Sequence, residues 1–197
     1  MRRPLLLLSA ATLAVLLVGC DVTGSEETIT LNNNTGLEPI EYTFEYNQDD
    51  ERDGQISVSA RPDESSPSLE NLLREQAAAS LSDIVSARVT RVRIRSVSTT
   101  TSATGVVPKV LSYIATTEVY LGGTAGAPIA REQDVRTTMG NSFIEMGLAD
   151  GAEDVTSAAR NGQPEATLVF DVEDPSSVGN PDRVGIEISY SIEVSSS

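Results

Sequence analysis

The sequence contains no histidine and no tryptophan, and only one of its 197 residues is a cysteine. Without histidine, a Ser-His-Asp or Cys-His catalytic arrangement and a HExxH zinc site are excluded. A single cysteine excludes an internal disulfide and a thiolate zinc cluster. Basic residues are also scarce, with 14 Lys and Arg against 29 Asp and Glu, and the net charge is −15. That charge argues against a nucleic-acid partner, which requires a basic surface.

The N-terminal segment has the features of an export signal. Arg2 and Arg3 give it a positive start, and residues 5–18 form an apolar run with only two polar interruptions. A membrane-spanning helix needs about 20 apolar residues, whereas a shorter run is typical of a signal peptide. We therefore expect residues 1–19 to be a signal peptide.

The residues that end this run, Leu17-Val18-Gly19-Cys20, resemble the lipobox of bacterial lipoproteins. The resemblance implies that the Gly19–Cys20 bond is cleaved, that the Cys20 thiol takes a diacylglycerol through a thioether, and that the new amine is acylated, as with palmitate. Each buried methylene contributes about 0.8 kcal/mol, so two or more chains give stable attachment. The implied location is the cell envelope, lipid-anchored to a bacterial membrane and facing the periplasm or the cell exterior. The choice between inner and outer membrane stays open.

Two other interpretations of the leader also stay open. A plain secretory signal that carries a cysteine by chance would give an exported protein without a lipid anchor. The Arg2-Arg3 pair loosely resembles the start of a twin-arginine signal.

The chain that follows the signal is strongly acidic. Without residues 1–19 it holds 12 basic against 29 acidic residues, a net charge of −17. We expect residues 20–27 to be the lipidated cysteine and a flexible polar tether, and residues 28–197 to be one domain. Excess surface acid is typical of halophilic proteins, because salt screens the repulsion. A GC-rich genome, which favours arginine codons, explains the 13 arginines and one lysine equally well.

Apolar residues at every second position dominate the domain, as in antiparallel strands with one buried and one solvated face. The predicted inward rows are Ile40/Tyr42/Phe44/Tyr46, Ile56/Val58/Ala60, Val92/Ile94, Thr117/Val119/Leu121, Leu168/Phe170/Val172 and Ile186/Ile188/Tyr190/Ile192/Val194. The first two rows flank an acidic turn that ends in Asp53-Gly54, so we expect them to form a hairpin.

One amphipathic helix is predicted over about 67–84, with Ser66 as its cap and Pro67 in its first turn. A shorter helix is expected at about 155–160, behind Asp154 as its cap. Six or more strands with one substantial helix predict a mainly β fold, an antiparallel two-sheet β-sandwich of the Ig-like or jelly-roll kind. This layout resembles the small β-sandwich surface lipoproteins of Bacteroidota-like bacteria, many of which have no assigned function.

Arginines are concentrated on one predicted strand. Arg91, Arg93 and Arg95 share its outer face, and Arg88 comes just before them. A cationic strip of this kind binds a phosphate, sulfate or carboxylate group, such as that of an anionic glycan. The interpretation that we favour is a solvated strand face, paired to glutamates of a neighbouring strand.

Little else in the sequence indicates chemistry. Residues 49–54 partly match a calcium loop, but Ala60 stands where the loop requires Glu, and a plain acidic turn explains them as well. Carboxylate pairs hydrolyse glycosides without histidine, but five of the eight aromatic residues that could hold a sugar lie in the inward rows. We therefore predict no catalytic residue, no metal and no cofactor.

The function that this sequence favours is non-catalytic. We expect a lipid-anchored extracytoplasmic protein with a binding or structural role, whose one implied partner is the membrane that receives the lipid on Cys20. The alternative is a ligand-binding lipoprotein that recognises an anionic glycan or phosphate through Arg91, Arg93 and Arg95. A small hydrolase is the third and least favoured interpretation.

Overall fold

The computed structural model describes residues 28–97, 99–102, 105–108, 112–135, 143–151, 154–162, 164–179 and 181–195. The strands in these ranges are β1 (Thr28–Leu31), β2 (Ile40–Tyr46), β3 (Glu51–Arg52), β4 (Gln55–Ala60), β5 (Ile84–Ser96), β6 (Thr99–Ser102), β7 (Gly105–Pro108), β8 (Ile114–Leu121), β9 (Ala130–Glu132), β10 (Ile144–Leu148), β11 (Ala166–Val172) and β12 (Asp182–Ser195). The α-helices are α1 (Leu69–Ala77) and α2 (Thr156–Arg160).

Ten of these strands form one antiparallel sheet, in the order β1–β12–β5–β10–β9–β8–β11–β4–β3, with β2 also paired to β12. Strands β6 and β7 pair only with each other. β1 and β2 lie one after the other along the same side of β12, where Leu31 is opposite Ile192 and Ile40 is opposite Ile188. The prediction of a mainly antiparallel β fold is confirmed.

The sheet folds over so that its two halves pack face to face. β10 is the strand at the fold, because residues 144–146 pair with β5 while Gly147 and Leu148 pair with β9. The Tyr46 ring of β2 packs edge-on against the Phe170 ring of β11, with 4.9 Å between centroids. We call the half that contains β1, β2, β12 and β5 layer A, and the half that contains β9, β8, β11, β4 and β3 layer B. The two layers of the predicted sandwich are therefore halves of one continuous sheet.

The inward rows predicted from the sequence meet between the layers. No residue of the β12 row at positions 186–194 is more than 5% exposed, and the β2 row is at most 2% exposed. Three of the predicted residues, Val58, Ala60 and Leu121, are half-buried at the edge of this core. Burying a large apolar side chain contributes about 1.5–3 kcal/mol, so these rows are the main source of stability.

The hairpin predicted between the first two rows is wrong. β2 pairs with β12 in layer A, whereas β4 pairs with β11 in layer B. The hairpin that does form is β3–β4, and its turn is Asp53-Gly54, with φ of 55° and 84°. Two successive positive φ angles match the two-residue turn that Asp-Gly favours. The sequence identifies the turn correctly, but the strand before it has only two residues.

Helix α1 is shorter than predicted. It is capped by Ser68 rather than Ser66, since the Ser68 hydroxyl accepts a hydrogen bond from the Asn71 N–H at 3.2 Å. It ends at Ala77, because Ala78 adopts the left-handed conformation with φ of 51°. Ile84 keeps the helical spacing but is the first residue of β5, so pairing with β12 prevails over local helical preference.

Helix α2 forms where the sequence predicts it and fastens the start of β5. Its N-cap is Val155 rather than the predicted Asp154. The Asp154 carboxylate, one residue earlier, accepts hydrogen bonds from the N–H and the hydroxyl of Thr156 at 3.0 and 2.6 Å. At its other end, Nε and Nη2 of Arg160 donate to the carbonyl of Ile84 at 2.9 and 2.7 Å.

The loop of residues 61–66 seals the side of β2 that does not pair with β12. The Asp63 N–H donates to the Glu41 carbonyl at 2.8 Å, and the Asp63 carboxylate accepts from the Thr43 N–H at 2.9 Å. The Ser66 hydroxyl accepts from the Glu41 N–H at 2.9 Å. Backbone groups that an added strand would use are therefore occupied from within the chain.

The predicted signal peptide, lipobox and tether, residues 1–27, lie outside the described residues. The first described strand begins at Thr28, directly after the predicted tether. Across the part of the chain that is described, no helix combines the length and the apolar content needed to cross a bilayer.

Candidate functional site

The four arginines of β5 share the outer face of layer A. Alternate residues of β5, such as Val92 and Ile94, are fully buried, which turns the arginines between them outward. A bulge between residues 89 and 91 shifts the register against β12, so that Arg88 and Arg91 also fall on one face. The strip predicted from the sequence therefore exists, and each of its members has different neighbours.

Arg95 spans two strands of layer A. Its Nη2 lies 3.0 Å from Oε2 of Glu41 on β2, and its Nε lies 3.7 Å from Oε1 of Glu187 on β12. To reach β2, the side chain crosses β12 at Gly185, where a Cβ would lie 2.9 Å from Arg95 Nε and 3.0 Å from Arg95 Cγ. Gly185 is therefore required for the close approach of this side chain, and its φ is not positive.

We expect Gly185→Ala to destabilise the fold by about 1–3 kcal/mol, because the new methyl group overlaps the Arg95 side chain. In an Arg95→Ala background the same substitution should cost much less, since only the looser contact with Val97 Cγ2, at 3.3 Å, remains. In an Arg91→Ala background, the matched control, it should keep its full cost. Urea unfolding of the variants measures the coupling. Equal costs in both backgrounds would contradict the position assigned to Arg95.

Arg93 contacts two side chains: the carboxylate of Glu145 on β10 and the aromatic ring of Phe143, the residue directly before β10. Its Nε lies 3.9 Å from Oε2 of Glu145, and its guanidinium carbon lies 4.3 Å from the centroid of the Phe143 ring. The exposed pair contributes at most about 1 kcal/mol, and the stacked cation a similar amount. Arg93 and Arg95 thus have the glutamate-paired arrangement that the sequence analysis favours.

Arg91 differs, because within the described residues no carboxylate pairs with it. Its Nη2 lies 3.5 Å from the hydroxyl of Ser189. With the Asn33 amide turned so that its oxygen meets Arg91, the same Nη2 is 3.2 Å from that oxygen, and the amide nitrogen donates to the Leu37 carbonyl at 3.1 Å. All of these partners are uncharged, so the positive charge of Arg91 is left unneutralised by its direct contacts.

An open groove of about 320 Å³ lies beside Arg91. Its lining consists of Asn32, Asn33, Asn34, Thr90, Arg91 and Ser191. We call it the Arg91 groove. The asparagines lie in the turn between β1 and β2, and they are not among the residues predicted from the sequence to form a site. Their signal in the sequence is three consecutive carboxamides. Their role depends on the fold, because the Arg91 side chain crosses β12 to reach the turn.

The asparagine turn also buries Ser189 of β12. Strand alternation places it on the outer face, where the sequence predicts a solvated side chain, yet it is only 2% exposed. Asn33 and Arg91 cover it, and its hydroxyl lies 3.3 Å from the Asn33 amide.

A second polar cluster lies between the layers and is also missed by the sequence analysis. The hydroxyls of Tyr46 and Tyr113 are 2.8 Å apart, and Tyr113 donates to the carboxylate of Asp182 at 2.7 Å. Asp182 is 2% exposed. Burial raises the pKa of Tyr46 and of Tyr113 far above the ordinary value, and the Tyr46 hydroxyl and the Asp182 carboxylate raise the pKa of Tyr113 further. The cluster is a buried network of hydrogen bonds that ties β2 to β12.

Two other tyrosines are buried near the opposite end of β2. The Tyr42 hydroxyl donates to the Pro164 carbonyl at 3.1 Å. Burial raises the pKa of Tyr42 to about 12, although the Tyr190 hydroxyl opposes the rise. Burial also raises the pKa of Tyr190 well above its ordinary value, with the charge effect of Tyr42 acting in the same direction. Both phenols therefore stay protonated in the folded protein at neutral pH.

A larger groove, of about 510 Å³, runs along α2. Its floor is partly apolar, with Leu121, Ile129 and Val155, and its rim carries Asp154 and Asn161. The hydrogen bonds from Thr156 hold the pKa of the Asp154 carboxyl below its ordinary value. This carboxylate is therefore engaged by Thr156, the first residue of α2.

The acidic turn at 49–54 uses its carboxylates in local hydrogen bonds. Asp50 accepts from the Asn47 N–H at 2.9 Å, and Glu51 accepts from the Gly54 N–H. The partial resemblance to a calcium loop thus coincides with a turn that these side chains stabilise.

No protein-family model, no curated protein and no solved structure matches this chain. Inferences about its function therefore rest on the residues themselves.

Proposed function

We propose that this protein is a lipid-anchored, extracytoplasmic β-sandwich that acts by binding or by architecture and not by catalysis. The membrane is its first partner, through a lipid on Cys20, and its acidic charge is unsuited to nucleic acid. The single observation that carries the anchoring is the lipobox-like Leu17-Val18-Gly19-Cys20, which contains the one cysteine of the chain.

The position of the first strand supports this proposal. Seven residues separate Cys20 from Thr28, where β1 begins. An extended chain reaches about 3.3–3.6 Å per residue, so these residues span up to about 25 Å, enough to hold the domain clear of lipid headgroups. A non-catalytic role is also supported by Tyr42, Tyr46, Tyr113 and Asp182, because hydrogen bonds within the protein engage these buried polar groups.

Replacing the cysteine tests the anchor. We expect Cys20→Ser to abolish incorporation of labelled palmitate and to move the protein from the detergent phase to the aqueous phase in a detergent partitioning assay. The reason is that no second thiol is present in the sequence to accept the lipid. Ser25→Ala, in the same segment, is the matched control and should label and partition as the wild type does. A Cys20→Ser protein that still takes up palmitate would refute the proposal.

A second candidate function is recognition of an anionic glycan or phosphate group through the arginine strand. Arg93 and Arg95 are paired with glutamates, so the observation that favours this candidate is Arg91, whose contacts are all uncharged. This candidate function therefore depends on Arg91 rather than on all three arginines.

A further inference from the structure

We propose that the Arg91 groove binds an acidic sugar, with Arg91 gripping the oxyanion and the asparagine turn contacting the hydroxyl groups. This inference deepens the second candidate function and is independent of the lipid anchor. Four features of the groove carry it: the charge of Arg91, the chemistry of its neighbours, the rigidity of the turn and the size of the opening.

The charge of Arg91 is the first feature. In a chain with a net charge of −15, Arg93 and Arg95 on the same strand have glutamates within 4 Å, whereas the direct partners of Arg91 are amide and hydroxyl oxygens. A guanidinium binds a carboxylate or phosphate through two parallel hydrogen bonds. Arg91 is half-buried, so part of its water shell is already displaced. An oxyanion entering the groove would supply the counter-charge.

The neighbours of Arg91 are the second feature, because they match a polyol. The carboxamides of Asn32, Asn33 and Asn34 and the hydroxyls of Thr90 and Ser191 line the groove. The carboxamides of Asn33 and Asn32 already bind Arg91 and cap the turn. The exposed carboxamide of Asn34, which both donates and accepts, is therefore the group that suits the hydroxyls of a sugar. The lining contains one cation, whereas the whole protein is acidic, so the groove favours a ligand with one or two negative charges over a polyanion.

The rigidity of the turn is the third feature. The Asn32 side chain caps it by accepting from the Asn34 N–H at 2.9 Å, and the Thr35 hydroxyl accepts from the Asn32 N–H at 2.7 Å. From α1, the Gln76 amide donates to the Gly36 carbonyl at 2.8 Å. Gly36 itself has φ of 96°, which favours glycine. The turn is thus fixed at both ends before any ligand arrives, which lowers the entropic cost of binding.

The size of the groove is the fourth feature. Its volume of about 320 Å³ is at the lower end of the range for small-molecule sites, roughly 300–1,000 Å³. The groove therefore accommodates a single sugar unit, free or at the end of a longer glycan.

The test is a titration of the full-length ¹⁵N-labelled protein, in a zwitterionic detergent that carries no sugar, followed through arginine Nε–H and asparagine amide resonances. Sodium glucuronate and glucose 6-phosphate are the probes, and glucose and inorganic phosphate are the comparison ligands. We expect at least one acidic sugar to bind about tenfold or more tightly than glucose and than phosphate. Comparing the two acidic sugars distinguishes a carboxylate from a phosphate ligand.

Three variants locate the site. Arg91→Gln should weaken binding by about 10- to 100-fold, the loss expected for charge-assisted hydrogen bonds. Asn34→Ala should weaken the acidic sugars and leave inorganic phosphate unchanged, because the side chain is exposed on the groove. Arg88→Gln, on the same face but outside the lining, is the matched control and should bind as the wild type does.

Several results would overturn the proposal. One is the absence of binding by either acidic sugar at 50-fold molar excess. Another is equal affinity for inorganic phosphate and for the acidic sugars. The third is an equal loss of sugar affinity in Arg88→Gln and Arg91→Gln. The anchor is tested separately, because Cys20→Ser should leave sugar binding unchanged. Failure of the lipid anchor and failure of the groove are therefore distinguishable.

Discussion

Raising the pH above about 10 should unfold this protein in one cooperative step that coincides with ionisation of its buried tyrosines. Tyr42, Tyr46, Tyr113 and Tyr190 are all at most 5% exposed, and burial raises the pKa of each. In the unfolded chain a tyrosine ionises near pH 10. Above that pH the unfolded chain releases protons that the folded protein retains, so each phenol's contribution to stability is present below pH 10 and lost as pH rises.

The expected loss is large enough to unfold the domain. Each phenol that stays protonated in the fold costs about 1.4 kcal/mol per pH unit above 10, and four of them cost about 5.5 kcal/mol per unit. This slope holds up to about pH 12, the raised pKa of Tyr42. Typical domains are stable by about 5–15 kcal/mol, so we expect unfolding within about one to three pH units above 10. With no histidine and one lysine in the chain, few other groups titrate in this window.

Tyrosinate absorbance and far-ultraviolet circular dichroism, recorded against pH, check this prediction. The two signals should change together, because the fifth tyrosine, Tyr120, also has a raised pKa through its hydrogen bond to the Glu118 carboxylate. Tyr120→Phe is the matched control: it should lower the total tyrosinate absorbance by about a fifth and leave the pH of the transition unchanged. Four phenols that ionise near pH 10 while the dichroism stays constant would show that they are open to solvent.

The second large effect is expected in the central strand of layer A. Ile188 is fully buried and lies in register between Val92 of β5 and Ile40 of β2. Ile188→Ala should destabilise the fold by about 2–5 kcal/mol, the usual cost of a cavity in a packed core. Urea unfolding gives the change in free energy.

The neighbouring residue provides the comparison. Ser189→Ala removes a hydroxyl that the Asn33 amide and Arg91 cover, and we expect a cost of about 1 kcal/mol. The ratio between the two variants tests the register of β12, because a slip of one residue would exchange the two environments. Equal costs would contradict the pairing of β12 with β2 and β5.

Most of the buried face could be predicted, because it depends on local alternation. The row Ile186, Ile188, Tyr190, Ile192 and Val194 has period two over nine residues, and nothing in the structure disturbs it. The partners of each strand could not be predicted in the same way. β2 and β4 are close in sequence and share an Asp-Gly turn signal, yet they belong to opposite layers, since long-range pairing with β12 and β11 outweighs the short connection.

The candidate site, too, is predictable only in part from the sequence. That Arg91, Arg93 and Arg95 share a face follows from strand alternation and was predictable. Which of them keeps an uncompensated charge depends on β12, which brings Glu187 beside Arg95 and Ser189 beside Arg91. The glycine that lets Arg95 reach β2 also has no sequence signal, because Gly185 lies within an otherwise ordinary strand.

The loop that covers the outer side of β2 has a consequence for crowding. The proposed lipid anchor would confine molecules to a plane, where neighbours meet far more often than they do in dilute solution. An open strand edge would then recruit the next copy, and repetition of that contact would produce a filament. Because the Asp63 carboxylate already occupies the Thr43 N–H, this edge offers no template at that position. On the proposed anchor, the domain could therefore stand at high surface density without polymerising through the Thr43 position of β2.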